Sequence, residues 1–253
     1  MVDLDRMRIG LQSIYLSVRP ALLTALLLLS PAGHSVTSDP TTFLQDNSDW
    51  WSLMNGRFTE SKAEPQNREL SAANFRVLGV SLGEDQFDKL AFKVGRASVL
   101  ERGDALTSRT QVCYVSPAPE RVHLIFESGE VPYALYLFTG GDHWQGEDFC
   151  LPTPLVSKKL GIASGLHLGM TPRAVLAILG KPSVASSNRL MYWLETRKKT
   201  PPGDLAELRS NNRDLSEPEF HKNYDFFDLS VYVEARFNST GLNFLAISKI
   251  ESY

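Results

Sequence analysis

The side chains best suited to chemistry cluster in GGDHWQGEDFC, residues Gly140–Cys150. Asp142, His143, Glu147 and Asp148 carry oxygen and nitrogen atoms of the kinds that bind divalent cations. A divalent-cation site usually needs better-spaced ligands and a rigid turn. Its glycine-rich, charged composition is typical of a solvated loop. We therefore assign no metal ion and no cofactor to the chain.

The two cysteines, Cys113 and Cys150, are most simply explained as one disulfide in an oxidising compartment. The bridge would close a loop of 36 intervening residues. A metal site would need more ligands nearby, and a redox pair would need C-x-x-C spacing. A nucleophilic cysteine would need a histidine partner, which the sequence does not nominate.

Signals for enzymatic activity and nucleic-acid binding are weak. The sequence contains no phosphate-binding glycine loop and no H-E-x-x-H pair, and no motif places two carboxylates as an acid–base pair. The formal net charge is -3, and no run of lysine or arginine stands out. Nucleic-acid binding requires a clustered basic surface. The sequence therefore predicts a protein that is not an enzyme and does not bind nucleic acid.

The N-terminal residues 1–35 resemble a secretory signal peptide. Arg6, Arg8 and Arg19 precede the nine-residue run Ala21–Leu29, and small residues follow it. The alternative is a membrane anchor, but a bilayer-spanning helix needs about 20 apolar residues. We expect cleavage after Ser35, no stable membrane span afterwards, and a periplasmic or secreted protein.

Residues 36–74 form a polar lead-in that we expect to be extended or loosely ordered. Trp50 and Trp51 interrupt its polar character, and they cannot share one face of a helix. Either one of them packs on the domain, or the pair contacts a protein partner, since tryptophan is enriched in interface hot spots. Asp142 and Trp144 are further candidate partner contacts, although Trp144 could instead pack between the two halves of the chain.

Two related segments indicate an internal duplication. GVSLGEDQFDKLAFKVG at Gly79–Gly95 parallels GLHLGMTPRAVLAILG at Gly165–Gly180. The glycines at 83 and 169 are 86 residues apart, and the glycines that end the segments are 85 apart. Each segment has apolar residues at helical spacing before its last glycine. The sequence therefore predicts an α+β protein of two tandem helix-plus-antiparallel-sheet repeats, residues 75–150 and 160–253.

The second segment has the clearer helix signals. Thr171 is a good N-cap, Pro172 suits the first helical position, and Gly180 ends the helix. The polar insertion 197–224 has no counterpart in the first repeat, and we expect one helical turn within it at Asp204–Leu208. Strands are expected at Thr110–Ser116, Arg121–Glu127, Val131–Thr139 and Arg189–Thr196.

The second segment also resembles a known module. Its pattern is Gly-Met-Thr, a helix ending in Leu-Gly-x-Pro, and an aromatic-rich strand. This pattern is similar to the small outer-membrane lipoprotein of the β-barrel assembly machinery (the SmpA/OmlA family) and to the tandem-repeat β-lactamase-inhibitor protein. The matching positions are Gly169, Met170, Thr171, Val175, Leu179, Gly180, Pro182 and Trp193, and in the first repeat Leu82, Gly83, Leu90, Gly95 and Tyr114.

The resemblance implies a module that binds other proteins and has no catalytic activity. We therefore predict a non-enzymatic exported protein that acts through protein contacts in the cell envelope. One alternative is an inhibitor of a secreted or periplasmic enzyme such as a β-lactamase. A further alternative is an enzyme or small-ligand carrier whose site is assembled from scattered residues.

Overall fold

The computed structural model describes residues 57–102, 109–129, 133–139 and 149–253. These residues form helices and a mostly antiparallel sheet, so the predicted α+β class is confirmed. Four α-helices lie wholly within these residues: α1 Phe87–Val94, α2 Pro172–Leu179, α3 Pro202–Asn211 and α4 Glu217–Tyr224. The strands are β1 Arg76–Val77, β2 Val80–Ser81, β3 Val99–Arg102, β4 Arg109–Val115, β5 Val122–Gly129, β6 Tyr133–Thr139, β7 Leu151–Pro152, β8 Val184–Ser186, β9 Arg189–Lys199, β10 Phe226–Asn238 and β11 Gly241–Ser252.

A nine-stranded sheet runs through the described part of the chain. Its order is β3-β4-β5-β6-β11-β10-β9-β8, and β7 pairs in parallel with β4. Helix α1 is followed in the chain by β3 to β6, and α2 is followed by β8 to β11. The last strands of these two series, β6 and β11, pair with each other in the middle of the sheet, with Leu137 opposite Leu245.

Helix α2 begins and ends where the sequence predicts. The Thr171 hydroxyl accepts a hydrogen bond from the Ala174 amide at 3.3 Å, and Pro172 occupies the first turn. Gly180 follows the last residue of the helix with φ of 74°. A non-glycine residue adopts this angle at a cost, so the glycine fixes the end of the helix. Val175 and Leu179 are fully buried.

One face of the sheet carries most of the apolar core. The helices α1 and α2 contribute to it through Leu90, Val94, Val175 and Leu179. Strands supply alternate residues, as a pleated strand requires, because successive side chains point to opposite faces. A second buried cluster lies on the other face and includes Phe58, the two cysteines and Phe244.

Over residues 57–74, the lead-in differs from the expected loosely ordered segment. Phe58 is 1% exposed and lies 5.4 Å from the ring of Trp193. The Gln66 amide donates to Trp193 O, and the Glu195 amide donates to Gln66 O. Arg68 Nη1 donates to Leu179 O at 2.7 Å, at the end of α2. These contacts join the segment to the sheet and to α2.

Candidate functional site

All four side chains that the sequence nominated as partner contacts lie outside the described residues. This applies to Trp50, Trp51, Asp142 and Trp144, and also to the predicted signal peptide. The structure does join Cys113 to Cys150, the predicted pair, with 4.5 Å between their Cα atoms. Both cysteines are buried. The bridge ties β4 to the segment that continues into β7.

Neither a metal-ligand cluster nor a membrane-spanning helix is found in the described residues. These residues contain no group of three histidine, cysteine, aspartate or glutamate side chains that could hold a metal ion. Within the same ranges, no helix has the length and apolarity needed to cross a membrane.

The five residues GVSLG at Gly79–Gly83 match the G-x-S-x-G spacing of a serine nucleophile elbow. Such an elbow places its serine, exposed, on a strained turn between a strand and a helix. Ser81 instead lies in the two-residue strand β2, paired with Arg76 and 8% exposed. Its hydroxyl accepts a hydrogen bond from Arg76 Nε at 3.2 Å. We therefore assign Ser81 no catalytic role.

The predicted insertion 197–224 forms a helical hairpin. Its first three residues extend β9 to Lys199, and α3 and α4 fill most of the remainder. The sequence predicted one helical turn in this segment, whereas the structure has the two helices α3 and α4. The sequence carries a capping signal that was missed: Ser216 and Glu219 bracket the first turn of α4, and the Glu219 carboxylate accepts hydrogen bonds from the Ser216 amide and hydroxyl.

Arg209 holds the two helices of the hairpin together. Its Nη1 donates to Leu215 O at 2.9 Å, and its Nη2 contacts Glu217 Oε1 at 2.5 Å. The guanidinium also lies 5.0 Å above the ring of Phe220. Phe220 is the one residue of α3 and α4 that is buried. The hairpin is therefore ordered mainly by its own contacts and adds little to the core.

Aromatic side chains lie at the base of the hairpin. Phe226 and Tyr253 are 46% and 51% exposed. The ring of Tyr253 lies 5.8 Å from both Tyr224 and Phe227, so it joins α4 to the end of the sheet. Desolvation, together with the negative charges of Asp204 and Glu251, raises the pKa of Tyr253. The base of the hairpin therefore exposes aromatic surface, and ring contacts hold Tyr253 in place.

A polar cluster lies on the sheet face opposite α1 and α2. Glu234 is 2% exposed and accepts two hydrogen bonds from Arg236, at 2.8 Å and 2.9 Å. Arg189 Nε lies 3.1 Å from Glu234 Oε1, but its N–H is not aligned with that oxygen. The Arg236 guanidinium also lies 4.3 Å above the ring of Phe244. Sequence reasoning missed this cluster because it depends on the register that places Arg236 opposite Arg189.

His123 is buried on the same face. Its ring is stacked on Phe138, with centroids 5.2 Å apart, and the side chain is fully buried. Burial, with a smaller contribution from the charge of Arg121, lowers the pKa of His123 from 6.5 to about 4. The folded chain therefore holds this imidazole in its neutral form at neutral pH.

We expect the stability of the protein to fall between pH 7 and pH 4 because of His123. The unfolded chain binds a proton at this histidine near pH 6.5, whereas the folded chain does so only near pH 4. Protonation therefore favours unfolding, and the loss should be on the order of 3 kcal/mol by pH 4. Urea unfolding of the wild type and of His123→Phe at several pH values measures it. Equal slopes of unfolding free energy against pH in the two proteins would contradict the assignment.

No family model, no curated protein and no solved structure matches this chain.

Proposed function

We propose that the protein is an exported, non-enzymatic protein-binding module built from two copies of a helix-plus-four-strand unit. In this proposal the partner is recognised by the hairpin α3–α4, which only the second unit has. The observation that carries the proposal is an ordered, exposed hairpin that buries a single side chain of its own helices.

The duplication is supported by an interaction that recurs in both units. Tyr114 on β4 donates its hydroxyl to Gly95 O at 2.8 Å, and Tyr192 on β9 donates to Gly180 O at 3.2 Å. Each glycine follows the helix of its own unit. Burial raises the pKa of both tyrosines to about 12, so both hydroxyls remain donors at neutral pH.

The buried positions of the two helices have the same register. Leu90 and Val94 are the buried residues of α1, five and one residues before Gly95. Val175 and Leu179 are the buried residues of α2, five and one residues before Gly180. Together with the matching strand series, this agreement supports one ancestral unit used twice.

Binding through the hairpin is supported by its preorganisation and its surface. A segment that is already ordered loses less conformational entropy when a partner binds. Residues 201–225 contain six aspartate and glutamate residues against three lysine and arginine residues, which favours a basic partner surface. The half-exposed rings of Phe226 and Tyr253 provide apolar contact area of the kind that is concentrated in interface hot spots.

Export is supported by the Cys113–Cys150 bridge and by the N-terminal sequence. Disulfides persist in oxidising compartments and are rare in the cytosol. The periplasm, or secretion beyond it, is therefore the location that we propose.

Removing the hairpin tests the binding proposal. Lys199 and Phe226 are directly opposite each other in the β9–β10 ladder, so an Asn-Gly turn can join them in place of residues 200–225. Because α3 and α4 bury only Phe220, we expect this variant to keep the disulfide and a cooperative thermal unfolding transition. We expect it to lose capture of the partner.

Photo-crosslinking from the exported fraction provides the readout. A photoreactive residue at Arg213, on the exposed link between the helices, should yield a discrete adduct that weakens as salt increases. The same residue at Lys159, an exposed position far from the hairpin in the chain, is the matched control and should yield none. Equal capture by the folded variant without the hairpin, or an adduct from Lys159 alone, would overturn the proposal.

A further inference from the structure

A cleft lies beside the edge of the sheet formed by β8 and β9. Its volume is about 320 Å³, at the lower end of the range for small-molecule sites. Among the described residues, one side of the cleft comes from Arg57, Glu60 and Ser61. Val184, Ser186, Arg189 and Met191 supply the sheet side.

Arg189 is the unusual residue of this cleft. Its Nη1 is buried and has no hydrogen-bond acceptor among the residues that the structure describes, and its Nε approaches Glu234 without an aligned hydrogen bond. Glu234 already accepts two well-directed hydrogen bonds from Arg236. A buried donor without an acceptor costs about 1–3 kcal/mol, and more when it is charged. The Arg189 side chain lines the cleft and is 17% exposed, so a rotation of its guanidinium would bring this donor to an oxyanion bound there.

A second guanidinium reaches the same cleft. Arg57 makes no ion pair and no side-chain hydrogen bond with any residue that the structure describes. The hydroxyls of the cleft are already used: Ser61 donates to Arg57 O, and Ser186 donates to Asn188 Oδ1. Among the described residues, Arg57 and Arg189 therefore supply the donors of this cleft that make no hydrogen bond, and a planar carboxylate matches the fork of a guanidinium.

The remaining walls limit the ligand further. Val184 and Met191 give the cleft an apolar side, and both belong to the apolar cluster on this face of the sheet. Glu60 on the opposite side repels a ligand that carries several negative charges. We propose that the cleft binds a monocarboxylate whose apolar substituent lies against Val184 and Met191.

This site is separate from the proposed partner surface. Arg189 begins β9, and the hairpin follows the end of the same strand. The eleven residues of β9 place the two positions roughly 33 Å apart. The two proposals can therefore fail independently.

Calorimetric titration of the full chain with hexanoate tests the proposal, with hexanamide as the uncharged control. We expect hexanoate to bind and hexanamide to bind at least about 10-fold more weakly, because an amide lacks the charge that a guanidinium pairs with. Inorganic phosphate is the third probe. If phosphate binds more tightly than hexanoate, the carboxylate assignment is wrong.

Two substitutions locate the binding to the cleft. Arg57→Gln removes a partly exposed charge, and Arg189→Lys keeps the charge near Glu234 but removes the fork. Each should weaken hexanoate binding about 10-fold while the thermal unfolding of Arg57→Gln stays close to that of the wild type. Arg173→Gln, on the exposed side of α2, is the matched control and should bind as the wild type does. Unchanged affinity in both cleft variants would overturn the proposal.

A peptide arm identifies the source of the carboxylate. A dipeptide that ends in a free leucine carboxylate is compared with the same peptide carrying a C-terminal amide. If the free acid peptide binds more tightly than hexanoate and the amide does not, the ligand is a chain terminus. If hexanoate binds more tightly than both, the ligand is a free organic acid. Failure of every carboxylate to bind would overturn the proposal.

Discussion

Replacing both Cys113 and Cys150 by alanine is expected to lower the free energy of unfolding by about 4 kcal/mol. The bridge spans a sequence separation of 37 residues, and the chain between its ends forms the paired strands β5 and β6. In the unfolded state the bridge prevents this long segment from extending. Without it the unfolded chain gains conformational entropy, and folding has to remove that entropy again.

Urea unfolding separates this effect from the loss of packing. The slope of free energy against urea concentration should rise in the double variant, because an unfolded chain without the bridge exposes more surface. The wild type unfolded in the presence of reductant keeps both sulfur atoms and should match the double variant closely. An unchanged midpoint in the double variant would contradict the prediction.

The parts of the fold that were predicted correctly are those whose signals are local. The ends of α2 are set by the local preferences of Thr171, Pro172 and Gly180. These residues were therefore sufficient to predict where the helix begins and ends. The strands β4, β5 and β9 were read from runs of apolar and β-branched residues, and their bounds differ from prediction by three residues or fewer. The short strands β3, β7 and β8 have four residues or fewer, too few to show a period.

The parts that were missed depend on contacts between distant residues. Phe58 stands in a polar segment, and its aromatic neighbours Trp193 and Tyr232 are more than 130 residues away. In the same way, Arg189 and Glu234 meet only because β9 and β10 pair in one register. A shift of one residue would move each side chain to the other face. The sequence alone could therefore predict neither the cleft nor the missing hydrogen bonds of Arg189.

The hairpin α3–α4 shows a third kind of miss. Helix α3 has no apolar stripe, because it lies against no core, and its sequence therefore lacks the periodicity that predicts a surface helix. Helix α4 did carry a local signal in Ser216, Pro218 and Glu219. Function in our proposal lies in this segment, which has no equivalent between β4 and β5, where the first unit turns within Ser116–Arg121.

The motif GLHLGM is held in place by hydrogen bonds to the β10–β11 turn. We expect Gly241→Ala to disrupt this contact and to destabilise the fold. Gly241 has φ of 106°, and a Cβ added there would lie 2.4 Å from Gly169 O. The Gly169 amide donates to Leu242 O, and the Leu242 amide donates to Met170 O, so the motif and the turn are bonded in both directions. Backbone strain and the loss of these two bonds together should lower the free energy of unfolding by about 3–5 kcal/mol.

Two other glycines make this prediction specific. An alanine Cβ at Gly169 meets no atom within 4 Å, so Gly169→Ala should cost only the strain of its φ of 84°, about 1–2 kcal/mol. Gly203 lies in α3 in open space, and Gly203→Ala should leave stability unchanged or slightly raised. Chemical denaturation of the three variants gives the order directly. If Gly241→Ala costs no more than Gly169→Ala, the contact between the motif and the turn does not stabilise the fold. If Gly241→Ala costs the most, the motif stabilises the fold by joining the start of α2 to the β10–β11 hairpin.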